Sequence, residues 1–260
     1  MMKFPIFLIS LQKDSARREV LKSLFKSYDE FVLTSAVDGR EMSAKEYFAY
    51  ADTSLKAYGK LLSPAEIGCA LSHAKAYEAF LATDAKLALI FEDDVMGDDS
   101  KIQKAFEYAK LLPPNGILIC GGTDGLEGRF SAFGKCIKRG EISDAKDDTL
   151  FEVSPNSYGV IYRATAYILT RKAAKALLET HKKAVCVADL WGYLLKSNKL
   201  KMYYADIFAH PLDLTNSNLE TERQKRGYKP SFKTYLNSLK FIILSRFDRF
   251  ILGHERIFKR

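Results

Sequence analysis

The sequence lacks several features that would assign a class at once. Its four cysteines, Cys69, Cys120, Cys136 and Cys186, form no C-x-x-C pair and no close Cys/His cluster. That argues against a zinc module and for reduced, mostly buried thiols. No stretch approaches the roughly 20 apolar residues of a membrane span. There is no G-x-x-x-x-G-K-[ST] and no G-x-G-x-x-G after the first apolar run, so neither a P-loop protein nor a Rossmann dehydrogenase is indicated. Internal repeats and low-complexity tracts are also missing. The opening MMKFPIFLISLQKDSARR has an apolar core only from Phe4 to Leu11, followed by a charged helix start instead of a small-residue cleavage site. A first strand is expected there in place of a signal peptide, and with it a cytoplasmic location.

What remains is an ordinary globular composition. The 260 residues are 47% hydrophobic and 28% charged, enough to bury a sizeable core, with a net charge of +8. The positive balance suggests an anionic partner, be it a nucleotide, a phospholipid surface or nucleic acid.

Apolar runs alternate with helical patterns along the chain. FPIFLISL reads as a strand, and Asp14 as the cap of a helix with apolar positions at Val20, Leu21, Leu24, Phe25 and Tyr28. FVLTSAV reads as a second strand running into a turn at Asp38-Gly39-Arg40. Ser43-x-x-Glu46 and Ser63-Pro64-Ala65-Glu66 are capping-box patterns, and the helix after Ser63 is expected to reach about Leu81. Further strands are expected at LALIFE, GILICGG, YGVIYR, AYIL and MYYADIF, and helices after Ser100, Thr170 and Ala188. A loop-rich stretch is expected from Thr123 to Asn156. This alternation predicts an α/β fold with a mostly parallel central sheet, in which ligands sit at the carboxyl ends of strands.

One such end carries an unusual charge cluster. The run Leu87–Phe91 delivers Glu92, Asp93 and Asp94 with no basic residue among them. Adjacent carboxylates repel one another and resist desolvation. A hard divalent cation relieves both problems and leaves coordination sites for substrate phosphates. A solvated acidic turn is the plainer alternative. A phosphorylatable receiver domain is disfavoured, because the next strand, GILICGG, carries no aspartate.

LSPAEIGCALSHAKAYEAF followed by LALIFEDDV resembles glycosyltransferase family 25, the bacterial lipooligosaccharide-biosynthesis glycosyltransferases. Leu62, Ser63, Glu66, Ile67, Gly68, Cys69, Ser72 and His73 match that family's L-[ST]-x-x-E-[IV]-G-C-x-x-S-H segment, which precedes a strand ending in EDD. FLISLQKDSARR, AVDGR, AYILTRKAAKALL and the aspartate of VADLW fall in the family's order, so the resemblance spans roughly Phe4 to Arg226. It implies a GT-A-type nucleotide-sugar-binding domain. The implied activity is transfer of a hexose, galactose or glucose, from a UDP-sugar with inversion. On that implication Asp94, with Asp93, holds Mn²⁺ or Mg²⁺, and Glu92 or Asp93 holds the ribose or a metal-bound water.

Other residues carry open alternatives. Glu66 and His73, seven apart on one helical face, either point at donor or acceptor or serve as capping-box and helix-packing residues. Asp189 is the candidate base that takes the acceptor hydroxyl proton, or it caps the helix that follows. His210 is either a late metal ligand of the GT-A kind or a structural histidine. Arg17 and Arg18 either meet the diphosphate at a helix start or lie on a solvated face. Gly121 and Gly122 either let a ligand approach the backbone or form a tight turn. Asn216, Ser217 and Asn218 suggest a loop and helix cap near the site, and Arg223 and Arg226 either reach phosphate or lie on a solvated helix.

The chain divides into an expected catalytic domain, 1–228, and a basic, aromatic C-terminal helical tail, 229–260. From Pro230 onward seven basic residues stand against two acidic ones, +5 of the chain's +8. Phe232, Leu236, Leu239 and Ile243 form one stripe. Such a helix suits an anionic bilayer, beside a lipid-linked oligosaccharide acceptor at the inner face of the cytoplasmic membrane, or packs on protein. Nucleic acid is not expected as a partner. The rival functions are a metal-dependent nucleotide-sugar hydrolase and a non-catalytic membrane-surface binding protein.

Overall fold

The computed structural model describes residues 4–124, 131–140, 142–143, 146–212, 243–244 and 246–258. The chain opens with strand β1 (Ile6–Ser10), helix α1 (Ser15–Leu24), strand β2 (Val32–Ser35) and helix α2 (Ala44–Tyr58). Helix α3 (Pro64–Leu81), strand β3 (Leu87–Glu92), helix α4 (Asp99–Ala109) and strand β4 (Gly116–Gly121) follow. The stretch expected to be loop-rich contains β5 (Phe133–Lys138), a small hairpin of β6 (Ile142–Ser143) and β7 (Lys146–Asp147), and β8 (Leu150–Val153). Then come β9 (Ala166–Thr170), α5 (Arg171–Lys183), α6 (Trp191–Ser197), β10 (Lys201–Phe208) and β11 (Glu255–Arg256).

Among the described residues nine strands join in one sheet, ordered β11-β5-β8-β10-β4-β9-β3-β1-β2. Six of them, β1 to β5 and β10, point the same way, as the α/β alternation predicts. The seam is β9, which pairs antiparallel with both β3 and β4. YGVIYR departs from expectation. Tyr158–Val160 is a 3₁₀ turn, and its apolar residues fill the core beside α6 without pairing in a ladder.

Strand residues alternate between two cores, one on each face. Ala88, Ile90, Ile117, Ile119, Met202 and Tyr204 face the layer of α3, α5 and α6. Leu87, Leu89, Phe91, Leu118, Cys120, Tyr203 and Ala205 face α1 and α4. All four cysteines are free thiols, with Cys120 and Cys186 buried.

Local signals explain the helix starts that frame the site. Both predicted capping boxes form: Ser43 with Glu46, and Ser63 with Glu66, with Pro64 in the first turn and α3 ending at Leu81. Thr170 caps α5 through Ala173 N–H. Asp14 occupies the N-cap position of α1 without a side-chain cap bond. No helix among the described residues is long and apolar enough to cross a membrane.

Most of the tail segment, including Phe232, Leu236 and Leu239, lies outside the described residues, as do Asn216, Ser217, Asn218, Arg223 and Arg226. Its end is tied to the sheet. Glu255 and Arg256 pair antiparallel with Gly134 and Phe133, and Ile257 and Phe258 insert into the core.

Candidate active site

The carboxyl ends of β1 and β3 and the amino half of α3 enclose a cleft of about 140 Å³. Asp14, Arg17, Asp38, Arg40, His73, Glu92, Asp93 and Asp94 line it. Two glycines let its walls close. A Cβ on Gly68 in α3 would lie 2.5 Å from Gly39 N and Val37 O, and one on Gly39 would lie 1.7 Å from Pro64 O. With hydrogens in their place, the loop after β2 lies directly on α3. Val37 N–H then donates to Ser72 Oγ at 2.8 Å, and Ser72 Oγ donates to Gly68 O at 2.7 Å.

The three carboxylates of β3 have three different environments. Glu92 Oε1 sits 3.0 Å from His73 Nε2, whose Nδ1 is 2.7 Å from Tyr167 Oη. Tyr167 in turn donates to Tyr77 at 2.9 Å. That hydroxyl proton is then spent, so His73 Nδ1–H donates to Tyr167, which leaves Nε2 facing Glu92. Asp93 is 8% exposed and accepts from Arg17 Nη1 at 2.7 Å. Burial pushes the Asp93 carboxyl up, while the Arg17 guanidinium pulls against it. Asp94 has one oxygen, Oδ1, that is buried with no hydrogen-bond partner. Its Oδ2 lies 3.4 Å from His210 Nε2.

His210 is held from both sides. Its backbone N–H donates to Asp124 Oδ2 at 2.8 Å, and its Nδ1 is 2.7 Å from Pro211 O. A carbonyl only accepts, so Nδ1 carries a proton and Nε2 faces Asp94. Burial opposes the imidazolium, but the Asp94 carboxylate outweighs it and raises the His210 pKa. A buried carboxylate oxygen without a donor, beside an imidazole oriented through its other nitrogen, fits a divalent cation. Cys69, His73 and Glu92 also place ligand atoms within 4.8 Å of one another. Both His73 nitrogens there already have protein partners.

The remaining candidates fall into structural positions around this centre. Glu66 closes the capping box through Ser63 N–H at 2.9 Å and pairs with Lys60 Nζ at 2.9 Å. Arg18 donates to Ser10 Oγ, Leu11 O and Gln12 O, fixing the turn after β1. Gly121 and Gly122 have φ of +104° and +76°, and a Cβ on Gly121 would meet Phe208 O at 2.4 Å. Gly121 thus permits a close approach of β4 to β10, whereas a Cβ on Gly122 would meet Thr165 at 3.1 Å. Asp189 does not cap α6, whose N-cap is Leu190. Its Oδ2 accepts from Arg163 N–H at 2.9 Å, holding a residue whose φ is +70°. Arg163 Nη1 donates to Gly122 O at 2.9 Å and Asp124 O at 3.0 Å. Asp189, Arg163, Asp124 and His210 are therefore linked to one another by hydrogen bonds, and through His210 to Asp94.

Tyr167, Asp38, Arg40 and Arg163 also belong to this site, although no sequence pattern marks them as site residues. Asp38-Gly39-Arg40 read as a turn, yet Asp38 accepts from Arg40 Nε at 2.8 Å and from Lys13 at the cleft mouth. Tyr167 carries no local signal, because its part in the site comes through contacts with His73 and Tyr77 of α3, far away in sequence.

Residues 3–191 match the family described as Glycosyltransferase family 25 (LPS biosynthesis protein). A putative glycosyltransferase of Haemophilus influenzae is 28% identical over 180 residues, 68% of this chain and 57% of that protein. Procollagen galactosyltransferase 2 of Mus musculus is 30% identical over 96 residues, 35% of this chain and 15% of that protein. A probable inactive glycosyltransferase 25 family member 3 of Rattus norvegicus is 32% identical over 101 residues, 36% of this chain and 18% of that protein. The chain thus spans under a fifth of these animal relatives' length and little over half of the bacterial one's. Among solved structures, mannose-1-phosphate geranyltransferase from Thermus thermophilus overlays with a TM-score of 0.40 at 10% identity, covering 88% of this chain and 81% of that one. Matched over residues 3–191, the chain belongs to glycosyltransferase family 25.

Proposed function

We propose that the protein is a metal-dependent, inverting glycosyltransferase. It moves galactose or glucose from a UDP-sugar to a lipooligosaccharide or related surface-glycan acceptor at the inner face of the cytoplasmic membrane. The observation that carries this reading is the orphaned Asp94 Oδ1 beside His210 at the carboxyl end of β3. Because relatives include proteins named inactive, family membership alone does not decide activity. The state of this carboxylate centre bears on it directly.

Asp94 and His210 would hold the cation. Their mixed oxygen and nitrogen donors favour Mn²⁺ over Mg²⁺, which prefers an all-oxygen shell. When bound, the ion neutralises charge on the diphosphate leaving group. Asp93 is turned to Arg17, so its part is to fix that guanidinium at the start of α1, where the helix dipole also favours a diphosphate. Glu92, oriented by His73 and Tyr167, presents its carboxylate to the cleft for a sugar or ribose hydroxyl. Asp189, linked to Arg163 N–H, is the base proposed to accept the acceptor hydroxyl proton.

The test is UDP release from UDP-galactose and UDP-glucose, with and without an oligosaccharide acceptor, in wild type and Asp94→Asn. Release that needs both acceptor and Asp94 supports transfer. Acceptor-independent release identifies a hydrolase, and a wild type inactive on every donor overturns the reading.

A further inference from the structure

A second cluster of charge lies at the opposite edge of the sheet from β1 and β2. Arg246, Arg249 and Arg256 line a cavity of about 340 Å³ with Ser131, Phe133 and Phe250. Five strand spacings separate β5, which carries Phe133, from β3, which carries the carboxylate centre. At roughly 4.8 Å each this is ~24 Å, so the two sites are distinct. Three guanidinium groups around one cavity repel one another unless an anion joins them. Arg256 Nε is buried without a hydrogen-bond partner, and its Nη2 reaches Ser131 Oγ only at 3.4 Å.

The acidic groups nearby are turned elsewhere. Glu255 pairs with Arg139 at 2.7 Å. Asp248 is 7% exposed and accepts from Ser154 Oγ and, at 3.0 Å, from Asn156 Nδ2. Asp248 therefore anchors the helical segment to the domain and removes its negative charge from the outer face. Among the described residues no carboxylate pairs with Arg246 or Arg249.

Beside the cavity the same segment presents an apolar stripe. Positions 243–244 and 246–252 have helical backbone. Ile243, Phe247, Phe250 and Ile251 follow the i, i+4, i+7, i+8 spacing of one face, and each is more than half exposed. Exposed aromatics and aliphatics on one side of a basic cavity are complementary to an anionic amphiphile. They are poorly suited to a free ion, which has no use for the apolar face. Nucleic acid would need stacking platforms in place of Ile243 and Ile251.

We propose that this edge docks the protein on an anionic phospholipid bilayer. The arginine cavity takes a headgroup phosphate, and Phe247, Phe250 and Ile251 enter the interface. Arginine suits this role because its planar fork can bind a phosphate bidentately. The pairing of β11 with β5 and the insertion of Ile257 and Phe258 hold the patch in fixed relation to the sheet. The inference deepens the membrane-side acceptor of the function proposed above, but vesicle binding needs no transfer and so tests it separately.

The experiment is sedimentation of the full chain with vesicles of phosphatidylcholine alone or mixed with phosphatidylglycerol. Wild type is compared with Arg246→Gln/Arg249→Gln, Phe250→Ser/Ile251→Ser, and a control, Leu33→Ser, on the exposed edge strand β2. Thermal denaturation of each, with and without inorganic phosphate, accompanies it. Wild type and Leu33→Ser should bind only the mixed vesicles. The arginine variant should weaken partitioning by roughly fivefold per charge removed. The serine variant should weaken it by roughly tenfold with an unchanged melting temperature. Absence of wild-type binding, equal binding to neutral vesicles, or full binding by either double variant would overturn the proposal. Phosphate stabilisation that depends on the arginines without any vesicle binding would identify a free-anion site and also overturn it. A serine variant that melts lower yet binds vesicles normally would mean the stripe is covered by the chain itself.

Discussion

His210 Nε2 lies 3.4 Å from Asp94 Oδ2, although the two residues are 116 positions apart. The end of β10 brings the histidine to the end of β3, and Pro211 O and Asp124 set its orientation. Replacing His210 by Gln should therefore reduce metal-dependent turnover by roughly 10- to 100-fold, as loss of a ligand or its orienting partner does elsewhere. The melting temperature without metal should barely move. The check is a Mn²⁺ titration of initial rates, in which the variant should need far more metal. An unchanged Mn²⁺ dependence would remove His210 from the centre.

The contact between Gly39 and Gly68 predicts a stability effect. In Gly68→Ala the new methyl would meet backbone atoms at 2.5 Å, which no side-chain movement relieves. Overpacking of this kind costs about 1–3 kcal/mol. At ~2–4 °C per kcal/mol for a chain of this size, thermal denaturation should show a clear drop. Gly59→Ala is the comparison. It also strains a positive φ, but it meets nothing within 4 Å and should cost less.

Arg17 and Asp93 make a further pair whose members should not be removed singly. Arg17→Met leaves a nearly buried carboxylate without its cation and should destabilise by ~3 kcal/mol. Adding Asp93→Leu to that variant should restore much of the loss, since neither charge of the pair then remains. Urea denaturation of the two variants measures this, and a double variant no more stable than Arg17→Met would contradict it.

His181 provides a pH-dependent prediction away from the site. Its ring is 3% exposed, neither nitrogen has a partner, and burial lowers its pKa from 6.5 to about 4. Between those values the unfolded chain binds a proton that the folded chain refuses. Stability is thus full above about pH 6.5 and falls as the pH drops towards 4. Melting curves from pH 7 to 4.5 should show this decline, and His181→Leu should flatten it. Parallel curves for the two proteins would contradict the assignment.

Much of this architecture was legible in local sequence. Ser63-Pro64-Ala65-Glu66 located the start of α3, and the apolar run before Glu92 located β3 with its carboxylates at the ligand-binding end. The reversal of β9 was not legible, because AYILT is buried on both faces and an apolar run carries no sign of its direction. Within the site, the EDD cluster was visible but its division of labour was not. Arg17 reaches Asp93 across 76 residues, and Tyr167 reaches His73 across 94. Asp189 read equally well as a helix cap or a base, and only the left-handed Arg163 beside it shows what its carboxylate touches.

The central claim is that Asp94 and His210 form a cation site serving a nucleotide diphosphate. The most direct measurement is thermal denaturation of wild type and Asp94→Asn with UDP, UDP-galactose and UDP-glucose, each with and without Mn²⁺. Binding to the folded state alone raises the melting temperature, by about 2.7 kcal/mol of stabilisation at a hundredfold excess over Kd. The account predicts a rise for wild type that requires both nucleotide and Mn²⁺ and is lost in Asp94→Asn. A rise that persists without metal or in the variant, or no rise at saturating ligand, would contradict it.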